Sequence, residues 1–253
     1  MIGKKNKKNR EKSNRSIRFN VATNLVLGVL ILSIGALCLA PMDVATEAEG
    51  ETFEIYRSAP AESSGVCLMF NVYWGTEEVY RILNVLEEKE AKATFFIGGS
   101  WADDNVECLR AIHAAGHEIG NHGYFHKDHS KLSFSENQKE IASCNQFIEL
   151  ALGEKVTLFA PPSGAYGNDT LQACKALEMQ TILWSRDTID WRDKDEALIY
   201  KRATNNIKGG EFVLMHPMQA TANVLDDILE YYKTQNLSAV TVGDNLKTGT
   251  ATG

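Results

Sequence analysis

Short apolar runs alternate with amphipathic helical stretches along most of this chain, and that alternation limits its fold more than any other feature. The apolar runs recur about seven times from Val66 onward. Between them, apolar residues keep helical spacing, as at Val79, Ile82, Leu83 and Leu86. Strands that alternate with helices favour a parallel sheet with crossover helices. No run is followed by the Gly-rich turn of a nucleotide-binding sheet. We therefore predict an α/β fold, a closed or nearly closed (β/α) barrel of about seven strands.

The element boundaries follow from periodicity and from residues that start or stop helices. Ser133 and Glu136 have capping-box spacing at the start of a long helix, and Gly116 suits the end of another. The predicted strands cover residues 66–70, 93–97, 117–122, 156–160, 181–184, 211–216 and 238–242. The predicted helices cover a segment that begins at Thr76 and residues 104–115, 133–152, 169–178, 195–207 and 223–235.

The N-terminal segment has the composition of a membrane anchor. Residues 1–20 hold eight Lys or Arg and one acid, a net charge of +7, and residues 21–42 carry no charge. An uncharged run of that length can cross a bilayer as a helix. The preceding basic residues predict a cytoplasmic N-terminus and an exported remainder at the cell membrane. The alternative is a secretory signal that is cleaved, although Pro41 directly after the small residues disfavours cleavage.

The rest of the chain divides into a linker, one large domain and a short tail. Residues 43–63 are acidic and rich in small residues, which predicts a linker, and residues 64–246 form the predicted domain before a tail at 247–253. Because the whole chain is at −7, the residues after the basic segment carry −14. Such an acidic body has no electrostatic surface for nucleic acid. The four cysteines in the domain are interpreted as small buried residues, although disulfides stay open, and the sequence does not determine the oligomeric state.

Several polar residues stand where predicted strands end, which is where a barrel gathers its chemistry. His122 and His126 follow the third strand with a spacing that can bring two imidazoles to one metal, or can form a hydrogen-bonded pair. His216 ends the sixth strand and could deliver a proton, with Asp190 orienting it. The alternatives are a buried histidine bonded to the backbone and a helix cap. Asn71, an uncharged residue, ends the first strand.

Five segments in order resemble the successive motifs of the polysaccharide deacetylases, carbohydrate esterase family 4, also called the NodB-homology domain. These segments read ATFFIGGSW, GHEIGNHGYFH, PPSG, WSRDTIDW and LMH. The segments NVYWG and GHEIGNHGYFHKDHSKLS are most similar to the sporulation-type bacterial branch. The resemblance spans residues 65–246 and implies a distorted (β/α) barrel. It also implies metal-dependent removal of acetyl groups from N-acetylated glycans such as peptidoglycan or chitin.

The resemblance also implies roles for individual residues. The divalent metal, usually zinc, would be held by His122 and His126, and His216 would act as the acid with Asp190 behind it. The backbone N–H of Ser163 would fall at the oxyanion position. The sugar-binding site would be lined by Tyr166, Trp191 and Trp74.

The first and third motifs depart from the family pattern. Asn71 stands where the family has its catalytic base, and Val72 stands where it has a metal-binding Asp. Ala160 stands where the family has an Arg that holds the base. The sporulation-type branch often lacks the second Asp, so the joint loss of base and Arg is the more telling departure. Removing both leaves no unpaired buried charge.

Two functions follow as alternatives. The first is a membrane-anchored deacetylase of N-acetylated cell-wall glycan whose activity is doubtful, with another carboxylate such as Asp187 or Asp128 serving as base. The second is an inactive descendant that binds glycan or a wall-associated partner through aromatic residues. Acetate release and bound zinc separate the two.

Overall fold

The fold is built on one curled, fully parallel sheet. The computed structural model describes residues 53–60 and 62–248. Within those residues nine strands pair in the order β1-β6-β5-β4-β3-β2-β8-β7, and β9 pairs with the start of β2. The strands are β1 (Ile55–Tyr56), β2 (Gly65–Val72), β3 (Thr94–Ile97), β4 (Glu118–Asn121), β5 (Leu158–Phe159), β6 (Gln180–Ile182), β7 (Arg186–Asp187), β8 (Phe212–Met215) and β9 (Ser238–Val240).

The two ends of this sheet are joined by one continuous stretch of chain. β6 lies near one end of the strand order and β7 at the other, yet only residues 183–185 separate them. Leu183 N–H donates to Tyr56 O at 2.8 Å, and Ser185 N–H donates to Phe212 O at 3.1 Å. The sheet therefore curls back towards itself, an arrangement consistent with the predicted distorted barrel.

Helices lie between most successive strands, as the alternation of patterns predicts; β1 and β2, and β6 and β7, follow each other without one. They are α1 (Thr76–Glu88), α2 (Gly99–Asp104), α3 (Val106–Ala114), α4 (Phe134–Leu152), α5 (Asn168–Ala176), α6 (Asp190–Asp193), α7 (Glu196–Thr204), α8 (Gln219–Thr234) and α9 (Val242–Lys247). The predicted capping box is present, because Ser133 N–H donates to the Glu136 carboxylate at 2.9 Å. The short helices α2, α6 and α9 were not predicted, since each is too short to establish a helical period.

Alternating residues of β2 divide the core into two layers. Cys67 and Met69 pack inside the curled sheet, whereas Phe70 and Val72 pack outside it against the helices. A strand places successive side chains on opposite faces, so Asn71 shares the inner face with Met69. This register decides which residues of the first strand can reach a cavity inside the sheet.

Part of the predicted linker belongs to the folded domain. Residues 55–56 form β1, and Ala59 is buried beside the inner layer of the core. A two-residue strand leaves no periodic signal in the sequence, which is why the linker was predicted to continue to residue 63.

Residues 1–20, residues 21–42, the first part of the linker and the tail from residue 249 lie outside the described residues. Among the residues that are described, no helix is both long and apolar enough to cross a membrane. Cys67, Cys108, Cys144 and Cys174 are buried free thiols, as the interpretation of small buried residues requires.

Histidine burial predicts that acid destabilises this fold. Burial lowers the pKa of His117 to about 4, and the nearby Lys92 ammonium adds to the effect. Burial also lowers the pKa of His122, His126 and His129. The unfolded chain then binds more protons than the native chain between the ordinary histidine pKa and about pH 4. Stability is complete above the unfolded pKa of about 6.5 and is lost as the pH falls below it.

We expect the unfolding free energy from urea titrations to fall by about 2–3 kcal/mol or more between pH 7.5 and pH 4.5. His117→Gln removes one contributor without altering the cavity described below, so its loss over the same range should be smaller. Equal losses for both proteins would contradict this assignment to His117.

Candidate functional site

A cavity of about 260 Å³ opens at the C-terminal ends of the strands. Its residues come from the end of β2 and the segments that follow β2, β4 and β6, from the turn at Pro162–Gly164, from β7 and α6, and from β8 and the residue after it. The lining residues are Asn71, Tyr73, Trp74, His122, His126, Ser163, Trp184, Asp187, Trp191, Leu214 and His216. The three histidines that the sequence singled out therefore meet in one cavity.

His122 and His126 form a close pair of neutral imidazoles. His122 is 1% exposed, and its Nδ1–H donates to Ala160 O at 2.7 Å, which leaves Nε2 as the unprotonated nitrogen. Burial lowers the pKa of His122 well below its ordinary value, and His126 lowers it further. The two ring centroids are 5.1 Å apart. His126 has a φ of 52°, in the left-handed region, so the backbone itself turns there to bring its ring back to the cavity.

His216 is held by a buried carboxylate. Asp190 is fully buried and accepts hydrogen bonds from His216 Nδ1 at 2.8 Å and from His216 N–H at 2.7 Å. It also accepts from Thr221 Oγ1 at 2.6 Å and from Trp191 N–H at 2.8 Å. The carboxylate thus fixes the imidazole so that its Nε2 faces away from Asp190. Thr221 was missed by the sequence analysis, because a threonine in an apolar helix gives no signal of a polar partner.

Asn71 is the one residue of the first motif that reaches the cavity. It is 2% exposed, and its Oδ1 has no hydrogen-bond partner. Val72 packs in the outer apolar layer, so its side chain lies on the opposite face of β2. Ala160 is fully buried in the inner layer, where a small side chain fills the space beside Leu158 and Ile182. Asn71 and Ala160 thus lie on the inner side of the sheet, whereas Val72 lies on the outer side.

Ser163 stands in a strained turn at the cavity wall. Its φ of 57° and the φ of 66° at Gly164 place two successive residues in the left-handed region. A side chain at position 164 would meet the Trp184 ring at 2.8 Å, so glycine allows the turn to pack closely under that ring. Ser163, whose backbone N–H the resemblance assigns to the oxyanion position, lines the cavity.

Aromatic rings cover two of the three histidines. The Tyr73 ring stacks on His126 with centroids 3.6 Å apart, and the Trp74 ring lies parallel to His216 at 5.6 Å. Trp191 lines the cavity and is 49% exposed. Trp184 also lines it and was not predicted, because its strand was noted only for its apolar character.

Two of the predicted residues fall outside the cavity lining. Tyr166 is not among the lining residues, and its hydroxyl accepts a hydrogen bond from Arg57 at 3.3 Å. Asp128 accepts from Ser130 N–H at 3.2 Å and pairs with Lys131 at 2.8 Å. These partners lower the pKa of Asp128, first through Lys131. Of the two substitute bases, only Asp187 borders the cavity.

The donor set does not fit a three-ligand catalytic zinc site. Catalytic zinc is commonly bound by three protein side chains. His122 and His126 supply two imidazoles, and in the part of the chain that the structure describes no group of three His, Cys, Asp or Glu could hold a metal. Val72 supplies no donor and faces the apolar layer. The residues therefore suit at most a weak site with two imidazoles.

We expect the chain, purified after incubation with zinc and then desalted, to retain clearly less than one zinc per chain. Two neutral imidazoles without a carboxylate hold the ion too weakly to survive dilution. Elemental analysis of the protein measures the ratio, and His122→Ala serves as the control for adventitious binding. One zinc per chain that is lost in His122→Ala would contradict the expectation.

Together these features define a class of protein: an α/β fold on a curled parallel sheet, with a cavity at the C-terminal strand ends that is lined by three histidines and one carboxylate. The family model for polysaccharide deacetylases matches residues 58–182. A peptidoglycan-N-acetylglucosamine deacetylase of Bacillus cereus is 31% identical over 66% of this chain and 81% of its own length. The chain belongs to the polysaccharide deacetylase family.

Other relatives are longer than the matched region. The uncharacterized protein YlxY of Bacillus subtilis is 35% identical over 74% of this chain, which spans 59% of YlxY. The peptidoglycan-N-acetylmuramic acid deacetylase PdaC of Bacillus subtilis is 33% identical over 64% of this chain, which spans 34% of PdaC.

The fold is also shared with a protein described as lacking activity. BA3943 of Bacillus anthracis, a CE4 family pseudoenzyme, superposes with a TM-score of 0.75 at 33% identity, covering 77% of this chain and 69% of the other. A BA3943 mutant described as having restored enzymatic activity superposes with a TM-score of 0.75 at 32% identity, covering 77% of this chain and 72% of the other.

Proposed function

We propose that this chain is a glycan-binding member of the polysaccharide deacetylase family that recognises peptidoglycan-type glycan without hydrolysing it at an appreciable rate. The observation that carries the proposal is Asn71, a carboxamide on the inner face of β2 at the cavity wall, where the family has its base. An amide does not take up a proton from water near neutral pH. Losing a general base typically slows such a reaction by about 10²–10⁴-fold.

The surroundings of Asn71 support this proposal. An active base in the family is paired with an Arg, and this chain has the buried Ala160 there. Metal binding at His122 and His126 would also be weak, because no carboxylate joins the two imidazoles. The similarity to BA3943, described as a CE4 family pseudoenzyme, adds independent support.

A binding role is supported by the tryptophan residues of the cavity. Trp184 and Trp191 line the cavity, and Trp191 is half exposed at its rim. Aromatic faces pack well against the apolar faces of sugar rings. The peptidoglycan deacetylases among the relatives act on a glycan built from amino sugars, and we propose the same class of ligand here.

The proposal includes attachment to the cell membrane. Residues 21–42 would span the bilayer with the basic segment in the cytoplasm, and the domain would face the wall. A chain held in this way samples only glycan within reach of its linker. Fractionation of cells that express the full chain, with protease added from outside, tests this orientation.

A second candidate, a slow metal-assisted deacetylase, is favoured by the intact pair of His216 and Asp190. His216 would protonate the departing amine from Nε2, while the Ser163 backbone N–H would stabilise charge on the acetyl oxygen. Asp187, at the cavity wall, would have to serve as the base.

Two measurements on the same preparation test the proposed function. We expect no acetate release from N-acetylated chitooligosaccharides or peptidoglycan across pH values and with added zinc or cobalt. Muropeptides should bind, and Trp191→Ala should weaken their binding by about tenfold through loss of the aromatic face. Tyr80→Ala is a matched control, since Tyr80 is 43% exposed and does not line the cavity. Acetate release by the wild-type chain would favour the second candidate.

A further inference from the structure

Apart from the histidines, the ionisable groups in the cavity lining and directly behind His216 include two carboxylates and no Lys or Arg. Asp187 is the one carboxylate among its lining residues, and that lining holds no Lys or Arg. A second carboxylate, Asp190, lies directly behind His216. With Ala160 at the position of the family's Arg, nothing in the lining offsets this negative charge with a fixed positive one.

The cavity also contains hydrogen-bond acceptors that have no donor partner. His122 uses Nδ1–H to donate to Ala160 O, so Nε2, the nitrogen left for the cavity, is an acceptor. Asn71 Oδ1 is buried and has no hydrogen-bond partner. Buried acceptors without donors are costly, and a ligand that brings several N–H groups relieves that cost.

The remaining walls are aromatic. Trp184 and Trp191 line the cavity together with Tyr73 and Trp74. Aromatic faces attract cations as well as sugar rings, and they do so most strongly where water is excluded. A carboxylate beside several aromatic rings is a common way to recognise an organic ammonium group.

We infer that the cavity selects amino sugars whose nitrogen is free, the de-N-acetylated form of the glycan, over the N-acetylated form. The primary ammonium would lie near Asp187 and donate to acceptors such as His122 Nε2, while a tryptophan face packs against the ring. This inference rests on the proposed function, because it names the chemical form of the glycan that the site binds. The chain would then bind preferentially to glycan from which active deacetylases have already removed acetyl groups.

Calorimetric titration of the full chain, kept in mild detergent for its apolar N-terminal segment, tests the inference with two matched oligosaccharides. One is the tetramer of β-1,4-linked glucosamine and the other is its fully N-acetylated counterpart. EDTA is present throughout, so that no divalent metal occupies the histidines. We expect the glucosamine tetramer to bind at least about tenfold more tightly.

The glucosamine tetramer is a polycation, so it also binds non-specifically to this acidic chain. Two variants distinguish such non-specific binding from binding in the cavity. Asp187→Asn should reduce the affinity for the glucosamine tetramer by about tenfold and reduce that for the N-acetylated tetramer by a clearly smaller factor. Asp227→Asn removes an exposed carboxylate of α8 outside the cavity and should leave both affinities unchanged. The preference should persist at about 0.3 M salt, where interactions between exposed charges are strongly screened.

The outcomes distinguish the inference from the function on which it rests. Tighter binding of the N-acetylated tetramer, or equal losses in Asp187→Asn and Asp227→Asn, overturns the inference and leaves the proposed glycan binding in place. Binding of neither tetramer, nor of muropeptides, overturns both.

Discussion

Replacing Asn71 by Asp together with Ala160 by Arg is expected to raise acetate release from N-acetylated glycan by about 10²–10⁴-fold over the wild-type chain. The new carboxylate lies on the inner face of β2 at the cavity wall, where it can take a proton from water. The guanidinium compensates its charge and keeps it ionised. His216 and Asp190 are already arranged to supply the acid.

The two replacements should act as a unit. A carboxylate at position 71 without the guanidinium is buried and uncompensated, so desolvation raises its pKa and leaves it protonated. Asn71→Asp alone should therefore recover much less activity than the pair, and Ala160→Arg alone should recover none. Val72 is left unchanged because its side chain packs in the outer apolar layer, where a carboxylate would be an unpaired buried charge.

The assay measures acetate from N-acetylated chitooligosaccharides with zinc or cobalt in excess, since the two imidazoles alone bind a metal weakly. Urea titration of each variant confirms that the larger side chain at position 160 is accommodated. A folded double variant that still binds glycan but releases no more acetate than the wild type would falsify the view that the lost base limits activity.

Asp190→Ala is expected to lower the free energy of unfolding by about 3–5 kcal/mol, the largest loss of stability we predict for a single polar side chain. The Asp190 carboxylate accepts hydrogen bonds from His216, Thr221 and Trp191 and is fully buried. Removing it leaves several buried donors without an acceptor, and each unsatisfied donor carries its own desolvation cost.

Urea titration at pH 7.5 measures this loss. Asp187→Ala is the matched control, because Asp187 is only partly buried and its carboxylate accepts a hydrogen bond from Ile189 N–H at 2.8 Å. It should cost no more than about 1–2 kcal/mol. Thr221→Val, which removes one donor, should fall between the two. A change below about 1 kcal/mol in Asp190→Ala would show that the network is dispensable for folding.

The repeated alternation of strand and helix patterns was sufficient to predict the parallel α/β architecture. Apolar side chains at strand and helix periods must be buried, and the choice of layers that bury both is small. The elements that were missed are the short ones. β1 and β7 have two residues each, and their pairing depends on strands far away in the chain.

The same reasoning explains which site residues could be predicted. Histidines at strand ends were identified because parallel strands deliver their C-terminal ends to one edge. Trp184 and Thr221 were missed, since neither residue type differs in sequence from an ordinary core or helix residue. Tyr166 at the sugar site stays a prediction; in the structure its hydroxyl accepts a hydrogen bond from Arg57.

By itself, the sequence determined the class of fold, the three histidines of the site and the absence of a carboxylate at position 71, because these depend on residue type and local order. Only the tertiary structure decided that Asn71 faces the cavity while Val72 faces the outer layer, and that Asp187 rather than Asp128 stands beside the histidines. Those facts depend on strand register and on contacts between distant segments. A one-residue shift in register moves a side chain to the other face of a sheet, and no local pattern records it.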